Sequence, residues 1–294
     1  MKNLLQRISE GETLVADGAM GTMLMTLDFE LKKCPEIVNL AHPEILEGIA
    51  LQYLEAGADI IQTNTFGASP LKLALNQLDE KTEEINKNAV KAVKKAVGGR
   101  AFVSASGGPT GRLLKPFGDT DPEEIYQAFE QQFRFIAEIG VNVFCIETMT
   151  DITEATLAVE AAKAVAPQIP VMATMTFDET PRGYFTIMGV SVKQAAEELQ
   201  KAGADIVGSN CGNGILKMIK VAREFKNCTD LPLLIQANAG LPELVDGKLV
   251  YRETPEFMAE KARELREIGV SIIGGCCGTT PEHIKALRKM VDSR

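Results

Sequence analysis

One unit recurs eight times along the chain and constrains its fold more than any other feature. In each copy, a short apolar run rich in valine and isoleucine precedes a loop of Gly, Asn, Thr or Ser, and a longer stretch with helical periodicity follows. The predicted strands are residues 13–16, 59–63, 101–105, 142–147, 170–175, 205–209, 233–236 and 271–273. The predicted helices are residues 43–56, 81–97, 122–139, 152–166, 192–202, 214–225, 255–268 and 281–291. Apolar strands that alternate with helices are typical of a parallel sheet covered by helices.

Eight such units predict an α/β fold of the (β/α)8 TIM-barrel type, because eight parallel strands close into a barrel. A doubly wound open sheet is the structural alternative. Three helix-to-strand junctions place a glycine where a left-handed helix cap is expected, at Gly57, Gly203 and Gly269. The 294 residues show no Pro/Ser-rich linker, low-complexity tract or charge block, so we expect one domain over residues 1–294.

The charge balance bears on the partners of the protein. With 31 basic and 40 acidic residues the net charge is −9, which disfavours nucleic acid or an anionic membrane as a partner. Apolar runs fall short of the roughly 20 residues that cross a bilayer, and the amino terminus lacks the apolar stretch of a signal peptide. We therefore expect a soluble, cytoplasmic protein that acts on small molecules.

Three cysteines stand out because each follows a predicted strand. Cys211 comes after the sixth strand, and Cys276 and Cys277 come after the eighth, so barrel closure would bring the three thiols to one rim. Thiolates are good zinc ligands, and three protein ligands with one exchangeable position are usual in catalytic zinc sites. Two other interpretations stay open: buried structural cysteines, or a strained vicinal disulfide at 276–277, which a reducing cytosol disfavours. Cys145, one layer deeper in the barrel, is the only candidate for a fourth thiol.

Two carboxylates also end predicted strands. Asp17 follows the first strand and Glu147 ends the fourth, and together they suit an ammonium group. The alternative is that each caps a helix or pairs with an arginine. Gly18 begins a turn of small residues whose N–H groups could face a carboxylate. His283, in the first turn of the last predicted helix, is interpreted as a capping or surface residue.

Several spaced motifs give the chain a resemblance to a known family, the homocysteine S-methyltransferases. They are Asp17-Gly18-Ala19-Met20-Gly21-Thr22, Gly57-Ala58-Asp59-Ile60-Ile61-Gln62-Thr63-Asn64-Thr65-Phe66-Gly67, Gly108-Pro109-Thr110-Gly111, Glu147-Thr148, Asn210-Cys211, Asn238-Ala239-Gly240 and Gly274-Gly275-Cys276-Cys277-Gly278-Thr279-Thr280-Pro281. Within the family, the chain resembles the homocysteine-binding module of cobalamin-dependent methionine synthases.

The resemblance implies a set of site residues and a reaction. Zn²⁺ would be held by Cys211, Cys276 and Cys277, with the homocysteine sulfur in the fourth position. Asp17 and Glu147 would bind the substrate amino group, and Asn238 would approach the zinc when the site is empty. The implied activity is methyl transfer to the thiol of homocysteine, giving methionine.

The methyl donor is the least constrained part of this prediction. Within these 294 residues we expect no folate- or cobalamin-binding module, so we favour methylcobalamin carried by a separate corrinoid protein. S-methylmethionine, betaine or another small onium donor is the alternative. The segment Ser104-Ala105-Ser106-Gly107 lacks the acidic residue of many methionine-synthase modules. This difference affects the prediction of the methyl donor more than that of the acceptor. A hypothesis of another class is a non-catalytic barrel with a structural zinc, or a subunit that only docks a corrinoid protein.

Overall fold

Eight parallel strands form the centre of the protein. The computed structural model describes residues 2–26, 34–245 and 248–293. We number the central strands β1 to β8; their bounds are Leu14–Val15, Ile60–Gln62, Phe102–Gly107, Val143–Met149, Val171–Met175, Ile206–Gly214, Leu233–Asn238 and Ile272–Gly275. Their order in the sheet is β1-β8-β7-β6-β5-β4-β3-β2, and every pair of neighbours is parallel.

The sheet closes between its first and last members. A parallel bridge joins Ala16 to Ile60, and the Asp59 N–H donates to the Val15 carbonyl at 2.7 Å. The TIM-barrel prediction is therefore confirmed, and the open doubly wound alternative is wrong because such a sheet keeps two free edges.

The barrel is enclosed by one long helix after each strand. These helices, α1 to α8, are Pro43–Glu55, Thr82–Val97, Pro122–Ile139, Ile152–Val165, Val192–Ala202, Ile215–Lys226, Pro255–Ile268 and Pro281–Asp292. Local signals explain their ends: Gly203 and Gly269 adopt left-handed φ values of 105° and 90° where α5 and α7 stop, as predicted. His283 completes a capping box with Thr280 at the start of α8, which confirms its capping role. No helix in the described parts of the chain is long and apolar enough to cross a membrane.

Two apolar clusters hold the barrel together and leave its carboxyl end polar. Inside the barrel, side chains from the amino-terminal halves of the strands, such as Ile60, Phe102 and Met172, form one cluster. Leu4 of the helix Leu4–Ser9 packs into the same cluster and covers the amino end. A larger cluster fills the space between strands and helices. The polar side chains that could support chemistry therefore lie at the carboxyl end of the strands.

Several boundaries differ from the prediction at this carboxyl end. β6 continues to Gly214 rather than to residue 209, and β4 continues to Met149 rather than to 147. The sequence also gave no indication of the helix Met20–Thr26 or of the hairpins Asp178–Thr180/Gly183–Phe185 and Glu243–Val245/Lys248–Val250. Glycine, asparagine and threonine usually signal a loop. In β4 and β6 they instead form irregular ends of strands that are held by neighbouring strands.

Candidate metal and amino-acid site

The three predicted thiols lie together at the carboxyl end of the barrel. The sulfurs of Cys211, Cys276 and Cys277 all lie within 4.8 Å of one another, and the Cys211 and Cys277 Sγ atoms are 3.7 Å apart. All three cysteines are reduced and partly exposed. Barrel closure therefore brings together side chains that are far apart in the chain.

Backbone geometry aims each thiol at this cluster. Cys211 lies within β6 and not in the loop predicted after it, and its φ of 62° belongs to the left-handed region. The register of β6 against β7 shifts between Asn210 and Gly214, and such a bulge redirects side chains. Directly after β8, the Cys276 N–H donates to the Ala237 carbonyl at 2.8 Å, while the Cys277 carbonyl accepts from the Ala239 N–H at 2.9 Å.

The cluster fits a metal ion that prefers sulfur. Zinc bonds to cysteine sulfur at roughly 2.3 Å, so tetrahedral ligand sulfurs lie roughly 3.8 Å apart, close to the Cys211–Cys277 separation. Hydrogen bonds from Cys276 and Cys277 lower the pKa of the Cys211 thiol, which already favours one thiolate in the cluster. Cys145 is buried elsewhere: its sulfur accepts from Gln62 Nε2 at 3.8 Å, and it is not part of the group. Three thiols can therefore hold a metal ion and leave a position for a further ligand.

Glu147 lies beside the thiols and is held by two side chains. Ser106 Oγ donates to its Oε1, and Asn210 Nδ2 donates to its Oε2 at 3.2 Å. Burial raises the pKa of the Glu147 carboxyl to about 7, and the nearby Cys211 sulfur adds to this effect. Neither helix capping nor an arginine accounts for Glu147 among the contacts of the described residues.

Asp17 is the second buried carboxylate. Its Oδ2 accepts from the backbone N–H of Gln62 at 2.8 Å, whereas its Oδ1 is buried and has no hydrogen-bond partner among the described residues. Burial raises the pKa of Asp17 to about 8, and the negative charge of Glu147 raises it further. A buried acceptor without a donor, next to a second carboxylate, is what a bound ammonium group would satisfy.

Gly18 and Asn238 adjoin the same site. A Cβ atom on Gly18 would lie 2.7 Å from Thr279 Oγ1 and 2.9 Å from Tyr53 Oη, so the chain passes too close for a side chain. Asn238 is 4% exposed, helps to lower the pKa of the nearby Cys211 thiol, and leaves its Oδ1 without a partner among the described residues. The geometry thus brings every predicted site residue to one end of the barrel.

Three further residues of the site were not assigned a role from the sequence. Ser106 and Asn210 position Glu147, although Asn210 appeared within a recognised motif. Tyr251 packs against Gly278, next to Cys277, where an added Cβ would lie 2.1 Å from the tyrosine Cγ. The spacing along the chain could not reveal these contacts, because each joins residues that are far apart in the chain and meet only in the closed barrel.

The raised pKa of the Asp17 carboxyl predicts how the stability of the protein depends on pH. Between about pH 4 and pH 8, Asp17 holds a proton in the folded state that it loses on unfolding, so raising the pH through this window destabilises the empty protein. We expect Asp17→Asn to be close to wild type in stability near pH 4 and more stable by about 2 kcal/mol or more at pH 8. Urea unfolding of the metal-free protein at several pH values measures this difference. A difference that does not change with pH would contradict the prediction.

Fold and site together define a class of protein: a closed (β/α)8 barrel with a thiol cluster suited to a metal ion at the carboxyl end of its strands. The sequence profile of the homocysteine S-methyltransferase family matches residues 14–291, and the chain belongs to this family.

Named relatives agree with this assignment. The chain is 30% identical over 308 aligned positions to methionine synthase of Mycobacterium leprae, covering 99% of this chain and 25% of that protein. It is also 30% identical to methionine synthase of Mycobacterium tuberculosis over 306 positions, covering 98% of this chain and 25% of that protein. The chain thus spans about a quarter of the length of these curated relatives.

Solved structures with the same fold include the homocysteine methyltransferase MmuM from Escherichia coli. Its metallated form superposes with a TM-score of 0.81 at 21% identity, covering 97% of this chain and 99% of that chain. Its apo form gives a TM-score of 0.76 at 20% identity, covering 98% of each chain. At this level of identity the likeness concerns the fold alone.

Proposed function

We propose that the protein transfers a methyl group from a methylcorrinoid, carried by a separate protein, to the thiol of homocysteine and so forms methionine. The observation that carries the acceptor half is the thiol cluster beside two buried carboxylates. One end of the site suits a metal-bound thiol, and the other suits an ammonium group. Homocysteine carries both groups on one short chain.

In this proposal the metal is Zn²⁺ and its ligands are Cys211, Cys276 and Cys277. Three thiolates with one further position match a catalytic zinc site better than a structural one, which uses four protein ligands. A free alkyl thiol is mostly protonated at neutral pH, and bound zinc would favour its thiolate.

The other site residues bind and orient the substrate. Asp17 and Glu147 accept hydrogen bonds from the ammonium group, and its positive charge favours the ionised form of both carboxyls. The substrate carboxylate binds N–H groups of the turn that begins at Gly18, other than the Ala19 N–H, which donates to Thr279 Oγ1 at 3.2 Å. Holding the amino acid at both ends presents its sulfur towards the open end of the barrel, where orientation supplies much of the rate of a displacement at methyl.

The surface around the site supports a donor carried by a protein. Loops at the carboxyl end of the strands expose large apolar side chains, including Phe117 and Ile187 at 81% and Leu244 at 74%. Large apolar side chains exposed around an active site are typical of a surface that another protein covers. A small onium donor would need only a pocket and would not require an apolar surface around it.

A donor screen tests the proposal. Purified zinc-loaded protein is given homocysteine with a methylcorrinoid protein, free methylcobalamin, S-methylmethionine, betaine or S-adenosylmethionine, and methionine is measured. We expect the highest kcat/KM with the methylcorrinoid protein. Turnover with S-methylmethionine or betaine alone would contradict the donor half, while homocysteine that leaves the zinc coordination unchanged would contradict the acceptor half.

The apolar surface gives a second prediction about the donor. Ile187→Asp places a charge on the exposed loop and should lower kcat/KM with the methylcorrinoid protein by about ten-fold or more, because the charge would be desolvated on docking. Turnover with free methylcobalamin should stay within about two-fold, since the site itself is untouched. Leu51→Asp on the outer face of α1 is the control, as Leu51 is also exposed but lies on a helix away from the loops. Equal losses with both donors would contradict a docking role.

A further inference from the structure

One buried amide connects the carboxylate region of the site to the thiol cluster. Asn210 is 0% exposed and immediately precedes Cys211 on β6. Its Nδ2 donates to Glu147 Oε2 at 3.2 Å and to Thr148 Oγ1 at 2.7 Å, and lies 3.9 Å from Cys276 Sγ. Its Oδ1 accepts from the Thr148 N–H and from Thr174 Oγ1, both at 2.7 Å. The two donors and two acceptor positions of the carboxamide are thus all used.

The backbone on both sides of this amide is strained. Thr148, after Glu147, has a φ of 61°, and Cys211, after Asn210, has a φ of 62°. Left-handed conformations are unfavourable for residues with a side chain and persist where surrounding contacts fix them. The strand registers also shift here, between Ile146 and Met149 on β4 and between Asn210 and Gly214 on β6. Asn210 bonds to the strained segment of β4 and belongs to the strained segment of β6.

Other contacts cannot make this connection. Ser106 donates to Glu147 Oε1 but, among the described residues, makes no hydrogen bond to the three thiols. Asn238 lies near the Cys211 sulfur, whose pKa it helps to lower, but within the described residues it makes no hydrogen bond to Glu147. Among the described side chains, Asn210 is the one that makes hydrogen-bond contacts both with Glu147 and with a thiol of the cluster, that of Cys276.

From these contacts we infer that Asn210 is a positioning residue that fixes the Glu147 carboxylate at a set distance from the thiol cluster. Resting on the proposed function, it sets the spacing between the ammonium group and the sulfur of the amino-acid thiol that the site accepts. Without Asn210, Glu147 would keep its bond from Ser106 but lose its alignment with the thiols. Recognition of the ammonium group would then weaken while thiol binding remained.

The test compares two ligands that differ only in the amino group. Binding of homocysteine and of its desamino analogue 4-mercaptobutyrate to the zinc-loaded protein is measured by calorimetry, with zinc content determined for each sample. We expect the wild type to bind homocysteine about 10 to 100 times more tightly than the analogue, since two buried carboxylates face the ammonium group. In Asn210→Ala this ratio should fall below about three.

Two further variants make the result specific. Asn213→Ala is the matched control: Asn213 is also buried on β6, but its Nδ2 donates to the Phe177 carbonyl at 2.6 Å, so the wild-type ratio should remain. Thr174→Val removes one bond to Asn210 with little change of shape, and should lower the ratio about three-fold even if Asn210→Ala folds poorly.

The outcomes separate the two hypotheses. If the wild type binds both ligands equally, both the proposed function and this inference are overturned. If the wild type prefers homocysteine and both Asn210→Ala and Thr174→Val keep its ratio, the inference alone is overturned, because Asn210 would then serve folding only. If Asn210→Ala does not fold, the affinity ratio of Thr174→Val tests the inference: a lowered ratio supports it, and the wild-type ratio overturns it.

Discussion

Cys211→Ala should lose its zinc and nearly all methyl transfer. The change removes one of three sulfurs that lie within 4.8 Å of one another, and two thiols alone would bind the ion weakly. Stabilising the substrate thiolate is worth several kcal/mol, so we expect methionine formation to fall about 1,000-fold or more. Metal analysis after dialysis and initial rates with homocysteine measure both effects.

Cys228→Ser is the control for this experiment, because Cys228 is also a reduced, partly exposed cysteine but lies outside the cluster. Cys228→Ser should bind zinc and form methionine at the wild-type rate. A Cys211→Ala protein that is free of zinc and still active would refute the metal site. One that retains zinc would show that another residue supplies a ligand.

Glu147→Gln should weaken homocysteine binding by about 10 to 100-fold while zinc stays bound. Glutamine has nearly the same shape as glutamate, but it removes the negative charge that would face the substrate ammonium group. A hydrogen bond to a charged partner contributes about 1.5–3 kcal/mol, which sets the size of this effect. Among the described residues Glu147 makes no hydrogen bond to the thiols, so the metal content should not change. Calorimetric titration with homocysteine gives the affinity, and zinc analysis of the same samples gives the metal content.

Glu154→Gln is the matched control for this charge removal. Glu154 is also a buried glutamate near the carboxyl end of the barrel, but its Oε1 accepts from the N–H and the hydroxyl of Thr110, at 2.8 and 2.6 Å. The Glu154→Gln variant should bind homocysteine with an affinity close to that of the wild type. Equal losses in the two glutamine variants would indicate a general loss of folding rather than removal of a binding group.

Much of the fold was predictable from local signals. The apolar runs identified all eight strands, and the glycines at 57, 203 and 269, with φ values of 98°, 105° and 90°, marked the helix ends. Such signals depend on interactions between residues that are near in the chain, so they can be recognised in the sequence. The ends of β4 and β6 were missed because their polar residues are held there by bonds to neighbouring strands.

The sequence by itself determined the barrel class, the family and the residue types available at the ends of the strands. Only the tertiary structure decided which of them meet: Cys211 lies 3.7 Å from Cys277, whereas Cys145 is buried among other residues. It also decided that Asp17 and Glu147 have raised pKa values, because burial, the main cause, depends on all the strands around them. Distances between residues far apart in the chain, and the loss of water around a charge, exist only once the barrel has closed.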